Sequence, residues 1–364
     1  MAVTRPDASF DVGRWCERHL GSSVDDALFT SGHLSRVYGV RLADGRSVVV
    51  KVRPALPRLA ACTAVQRALW RAGFPAPEPL TGPTAENGAT AENSPTAQNG
   101  PTAENSLTAQ NGPTPQNGLA AQNGLAAQNG LAAQNGLAAQ NGLAVSAEVY
   151  VPGGSTAPGS DPAGRFAGLL ARLVALAPRP EAVGTLAPDL PWTAWDHPLP
   201  GPWPAADDRD DDLNAPEHAT PWLDETGMRV RRRLERFVRT PAGRRQRIGH
   251  GDWEAQNLRW DGDRPLAVHD WDSVIVAPEA VLVGLAAAVW PCGMVPRAAT
   301  VAESAAFLAA YQRASGRVWS ADEIAAGWAA GLWVYAFNAK KAHLDGGRWL
   351  EPDEAEQRLE LAGA

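Results

Sequence analysis

The sequence predicts an α+β chain of two lobes, a small antiparallel β N-lobe with one main helix and a larger, mainly helical C-lobe. Three observations predict it. Residues 38–52 alternate apolar and polar, break at Asp44-Gly45 and alternate again, as a β-hairpin does. Residues 164–177, 221–238 and 321–344 carry apolar residues at the 3.6-residue period of amphipathic helices. Between those helical stretches, residues 250–273 form a polar loop followed by two short strand patterns around a turn at Asp261-Gly262-Asp263. A chain of 364 residues is long enough for two cores.

Taken in order, the first nineteen residues carry Asp7, Asp11 and Arg14 and show no apolar stretch of signal-peptide length. The segment 29–40, FTSGHLSRVYGV, places Ser31, Gly32 and Ser35 in a turn between strands. Lys51 ends the run Val48-Val49-Val50 and so projects from the end of a strand. A helix is expected over residues 59–72, stopped by Gly73 and Pro75. Residues 82–141 then repeat a hexapeptide that runs from GPTAEN to GLAAQN. Stacked as a β-helix, each rung would need an inward apolar residue, and the early copies offer proline there or nothing. A disordered tandem expansion fits the composition better, because so little apolar surface cannot offset backbone ordering. Excising the repeat joins residues 75–82 to an alternating strand pattern over 144–154, so the insert sits at a hairpin tip. Lengthening such a loop from about 4 to about 60 residues costs only about 2.4 kcal/mol of closure entropy. The lobes divide at residues 1–154 and 155–364. Residues 178–220, rich in Pro, Trp and Asp, read as irregular, and residues 280–290 as a buried helix too short to span a bilayer.

The net charge of −7, with acids spread along the chain, does not suggest a nucleic-acid partner, and none is expected. Three widely spaced cysteines, Cys16, Cys62 and Cys292, suit a reducing compartment and neither a disulfide framework nor a metal cluster. A soluble cytoplasmic protein with no membrane partner is expected.

The chemistry concentrates in His250-Gly251-Asp252-Trp253-Glu254-Ala255-Gln256-Asn257, followed thirteen residues after the asparagine by Asp270-Trp271. Strand ends here present three oxygen-bearing side chains, Asp252, Asn257 and Asp270. Phosphoryl transfer needs such a set: one carboxylate to take the attacking hydroxyl's proton, and an amide and a second carboxylate to hold Mg²⁺ against phosphates. This H-G-D-x4-N…D-W pattern resembles the catalytic loop and metal segment of the aminoglycoside phosphotransferase family, which has the protein-kinase-like fold. The resemblance implies an ATP- and Mg²⁺-dependent kinase acting on a hydroxyl of a small molecule. It implies Asp252 as catalytic base, His250 as a loop-positioning residue, Asn257 and Asp270 as metal ligands, and Lys51 as the ATP-phosphate lysine. It also implies that Ser31, Gly32 and Ser35 cover the nucleotide, and that the segment with Glu148 and Tyr150 meets adenine through its backbone.

The chain departs from the family in four places. Cys62 stands where kinase-like folds have a helix glutamate for the strand lysine, with Gln66 the nearest polar substitute. The later segments read Ala277-Pro278-Glu279 and Gly284-Leu285-Ala286, and His269 precedes the metal aspartate where an aliphatic is commoner. Trp192, Trp195 and Trp203 with the run Asp207, Asp208, Asp210, Asp211 and Asp212 would suit a cationic acceptor if they lined the acceptor site; the plainer reading is a solvated acidic loop beside packing tryptophans. Arg229, Arg231, Arg232, Arg233 and Arg236 read as the wet face of a helix, and Lys340 and Lys341 as complements to a helix C-terminus. Two other functions fit the same chain: a non-catalytic nucleotide-binding pseudokinase, and an interaction protein acting through its repeat.

Overall fold

The computed structural model describes residues 10–32, 35–86, 142–206 and 209–364. The two readings of the repeat, and Asp207 and Asp208 of the acidic run, lie outside the described residues.

The first lobe runs α1 (Val12–Leu20), β1 (Val24–Gly32), β2 (Arg36–Leu42), β3 (Ser47–Pro54), α2 (Leu59–Arg71), β4 (Thr84–Glu86) and β5 (Leu143–Val149). Its five strands form one antiparallel sheet in the order β1-β2-β3-β5-β4. The predicted hairpin is β2–β3, turned at Gly45 with a φ of 89°. Strand alternation sorts β3 into two faces. Val48, Val50 and Val52 are fully buried against Trp15, Cys16, Val145 and Ala147, which leaves Lys51 and Arg53 together on the opposite face.

β4 is a finding about the insert. Thr84–Glu86 belongs to the first hexapeptide, yet it pairs with Leu143, Ala144 and Val145 of β5. Thr84 accepts from Trp15 Nε1 at 3.2 Å and donates to the Val145 carbonyl at 3.1 Å. Glu86 faces His19 at 3.3 Å and Arg18 at 3.7 Å. The sheet edge therefore includes repeat sequence.

The second lobe runs α3 (Pro162–Leu176), α4 (Pro221–Val238), β6 (Gln246–His250), β7 (Leu258–Asp261), β8 (Arg264–Val268), β9 (Val274–Pro278), α5 (Glu279–Val289), α6 (Val301–Ser315), α7 (Ala321–Leu344) and α8 (Pro352–Ala362). β6 pairs with β9 and β7 with β8. α5 and α7 pack so closely that a Cβ on Gly284 would lie 2.1 Å from the Gly327 carbonyl oxygen. Residues 178–220 hold only short 3-10 turns among the described residues, as expected. None of the described helices is long and apolar enough to cross a membrane.

Two expectations are corrected by packing, those for the lysines of α7 and the arginines of α4, and α2 and the tryptophans take their places in the same core. The buried face of α2, Cys62, Val65 and Leu69, joins the large-lobe core with Phe74, whose ring stands edge-on to Trp271 at 6.0 Å. Arg58 fastens the start of α2 to the Pro188 and Val274 carbonyls of that lobe. Lys340 is fully buried and donates to Asp224 and the His218 carbonyl, each at 2.7 Å, while Lys341 lies over the Phe337 ring. Of the arginines on α4, Arg233 is buried and bonds the Ala362 carbonyl and Asp322, so that face is not simply wet. Trp192, Trp195 and Trp203 are core residues, and Trp203 Nε1 donates to Asp224 at 2.7 Å. They pack, as the plainer of their two readings has it.

Candidate functional site

Five pieces of chain build the site: the end of β3, the loop after β6, the turn at Ala255–Asn257, the end of β8, and the turn at Trp271–Ser273. β6 ends on His250, whose ring is buried and edge-on to Trp253 and Trp271 at 5.9 and 5.7 Å. Its Nδ1 accepts the Asp252 backbone N–H at 3.2 Å, and its Nε2 lies 3.0 Å from the His269 carbonyl. An amide N–H only donates and a carbonyl only accepts, so the ring proton sits on Nε2. Burial holds the imidazole's pKa below its ordinary value, which keeps it neutral. His250 thus ties the loop bearing Asp252 to the strand end bearing Asp270. His269 contributes through its backbone, since its N–H also donates to the Asn257 carbonyl at 2.8 Å.

Asp252 is buried. Its Oδ2 accepts from Asn257 Nδ2 at 2.7 Å, and the carboxyl also shares a hydrogen bond with the Glu254 side chain. Burial, with Asp270's charge, pushes the carboxyl up to about 7, and Asn257's hydrogen bond opposes them. Glu254, also buried, is pushed well above its ordinary value by burial and by Asp252. The amide nitrogen of Asn257 is committed to Asp252, so its amide oxygen faces away and accepts no hydrogen bond among the described residues.

Strand β8 stops at Val268, short of the predicted Ser273, because Asp270 adopts a left-handed backbone with φ 59° and ψ 52°. For a residue with a Cβ this conformation costs of order 1–3 kcal/mol and concentrates at functional sites. It turns the carboxylate toward the other lobe. Asp270 Oδ2 accepts from Ser273 at 2.8 Å, and Oδ1 meets Lys51 Nζ at 2.5 Å. Burial acts to raise the Asp270 carboxyl, but the Lys51 charge and hydrogen bond outweigh it and hold it well below the usual carboxylate range. Burial likewise works against the Lys51 ammonium, and Asp270 and Asp272 overcome it, so the lysine's pKa lies above its ordinary value.

Lys51, Asp252, Asn257 and Asp270 therefore meet between the lobes. The other candidates flank them. Ser31 and Gly32 end β1, and a Cβ on Gly32 would lie 2.4 Å from the Ser35 carbonyl oxygen, so glycine is needed for the close approach. The Glu148 side chain turns inward to accept from Gln66 Nε2 at 2.6 Å. The Val149 and Tyr150 amides donate to the Glu78 and Ser47 carbonyls at 2.9 and 3.0 Å.

Two residues of the site were not singled out from sequence. Asp272 Oδ2 lies 2.7 Å from Lys51 Nζ and 2.8 Å from Arg53 Nε, and its Oδ1 accepts from Arg53 at 3.0 Å. Each stands two residues from a recognised partner, Arg53 after Lys51 and Asp272 after Asp270, and that spacing was the available signal.

Among the described residues no three His, Cys, Asp or Glu side chains form a metal cluster. The donors suit a hard cation that keeps its waters: a carboxylate at Asp270, already balanced by a cation, and an unpartnered amide oxygen at Asn257.

No protein-family model matches the chain, and no curated protein matches it by sequence. Solved structures do share its fold. An amicoumacin kinase, hAmiN, in complex with AMP-PNP, Ca²⁺ and Ami, superposes with a TM-score of 0.55 at 9% identity, over 97% of this chain and 92% of that one. A thermostable mutant of aminoglycoside phosphotransferase APH(4)-Ia, in a ternary complex with ADP and hygromycin B, gives 0.51 at 13% identity over 97% of each chain. Spectinomycin phosphotransferase APH(9)-Ia, in complex with ADP and spectinomycin, gives 0.50 at 9% identity over 99% of this chain and 94% of that one. The two-lobed, kinase-like α+β fold is thus the fold of this chain.

Proposed function

We propose that this chain is an ATP- and Mg²⁺-dependent phosphotransferase that moves a γ-phosphoryl group to a hydroxyl of a small molecule. One observation carries the reading: Lys51, on a strand of the small lobe, pairs at 2.5 Å with Asp270, on a strand end of the large lobe, beside the Asp252–Asn257 pair. A sheet lysine and loop acids brought together across two lobes is the arrangement that phosphoryl transfer uses.

The Asp252 carboxylate is the group that accepts the acceptor hydroxyl's proton. Asn257 holds Oδ2 of that carboxylate, which fixes its orientation. His250 keeps the loop in register without itself changing charge. Lys51 neutralises phosphate oxygens, and Asp270 and Asn257 would hold Mg²⁺, which supplies charge stabilisation to the phosphates when bound. Ser31, Gly32 and Ser35 cover the nucleotide, and the end of β5 with Glu148, and Tyr150 just after it, border it. Structures of the same fold are complexed with the small molecules hygromycin B and spectinomycin, in keeping with a small-molecule acceptor.

The test has two arms. Mg²⁺-ATP should raise the melting temperature, because a ligand that binds only the native state stabilises it. A panel of hydroxyl compounds should then include one phosphorylated by the wild type and not by Asp252→Asn. No thermal response at millimolar nucleotide would remove the kinase reading. A response with no transfer to any acceptor would favour the pseudokinase, the reading that the neutral Cys62 supports.

A further inference from the structure

In kinase-like folds the strand lysine is held by a glutamate from the neighbouring helix. Here α2 offers none. Cys62 is buried and faces the Asp272 main chain, with Sγ 3.6 Å from its carbonyl oxygen, and burial keeps the thiol neutral. Gln66, one turn later, spends its amide on Glu148 at 2.6 Å and on the Pro77 carbonyl at 3.0 Å. Lys51 nevertheless has a second carboxylate besides Asp270. Asp272 stands 2.7 Å from Nζ, and it is itself gripped by the Arg53 guanidinium through both oxygens. Arg53 is buried and further fixed by the Lys51 carbonyl at 3.0 Å and Ser146 Oγ at 2.9 Å.

The alternation of β3 places Lys51 and Arg53 on one face, and the turn after Asp270 places Asp272 opposite both. Two cations on a strand thus meet two carboxylates on a turn. Once Asp270 is engaged by a metal ion, Asp272 is the anion left to hold the lysine. On the reading of the site as a phosphotransferase, we propose that Asp272 is the carboxylate that positions Lys51 for the nucleotide phosphates, in the role that α2 cannot fill, and that Arg53 holds Asp272 in place. The anchor has moved from the helix to the turn after the metal aspartate.

The experiment is a double-mutant cycle on Mg²⁺-ATP affinity, measured by calorimetry for the wild type, Asp272→Asn, Lys51→Met and the double variant, with urea midpoints read alongside to exclude unfolded protein. Asp272→Asn should weaken nucleotide binding by about tenfold, the effect of losing one charge-assisted hydrogen bond. The double variant should bind no more weakly than Lys51→Met alone, because Asp272 acts through the lysine. Asp272→Glu should restore most of the affinity, which a purely structural role would not predict. The proposal is overturned if Asp272→Asn binds as the wild type does, if the two losses simply add, or if Glu148→Gln rather than Asp272→Asn couples to Lys51. A wild type that binds no nucleotide would instead bring down the phosphotransferase reading, and this proposal with it.

Discussion

Glu148→Gln is the substitution whose effect follows most directly from the electrostatics. The Glu148 carboxyl sits inside the small lobe, hydrogen-bonded to Gln66 at 2.6 Å, and burial raises its pKa from 4.5 to about 7 against the opposing effects of that bond and of Lys51. Between those two values the native state keeps a proton that the unfolded chain has released. Stability from this group is therefore complete below pH 4.5 and is lost as pH rises through about 7. Each pKa unit is worth about 1.4 kcal/mol, so the full effect approaches about 3 kcal/mol, and partial solvent access reduces it to about 2. An amide at 148 keeps the acceptor for Gln66 and removes the titration. The stability of Glu148→Gln minus that of the wild type should become more favourable by about 2 kcal/mol between pH 5 and pH 8. Urea unfolding followed by tryptophan fluorescence at unit pH steps measures it. Parallel pH profiles for the two proteins would refute the reasoning, since the difference isolates this carboxyl from every other titrating group.

Three further outcomes are expected. Asp252→Asn should abolish phosphoryl transfer while leaving the thermal shift with Mg²⁺-ATP nearly intact; unchanged turnover would remove Asp252 from the base role. Gly284→Ala should destabilise by about 3 kcal/mol or prevent folding, because its Cβ would meet the Gly327 carbonyl oxygen at 2.1 Å where α5 crosses α7; a urea midpoint equal to the wild type would contradict that packing. Deleting residues 87–140 joins Glu86 to Leu143 through Asn141-Gly142, a favoured two-residue hairpin turn, and the product should fold and keep its nucleotide response. Extending the deletion through residues 82–86 removes β4 and the Trp15–Thr84 hydrogen bond, and should lower the midpoint relative to the shorter deletion.

The chain order of residue types determined the parts of this protein whose causes are local. The β2–β3 hairpin follows from alternation and an Asp-Gly turn, the long helices from their apolar period, and the set of Asp252, Asn257 and Asp270 from spacing within one loop and hairpin. Tertiary structure decided what depends on residues distant in the chain. Lys340 is apolar-core material only because Asp224, 116 residues away, is there to receive it, and an isolated helix would have left it in water. The face of α2 went to the large lobe because Phe74, Trp271 and the Asp272 main chain wait there. The Asp272 anchor is of the same kind. A carboxylate two residues past Asp270 is visible in sequence, but its charge acquires a role only when the fold brings Arg53, 219 positions earlier in the chain, within 3.0 Å. Side-chain period reports which way a residue faces; what it faces is set by packing, because charge and hydrogen bonding act over a few ångströms of space and not along the chain.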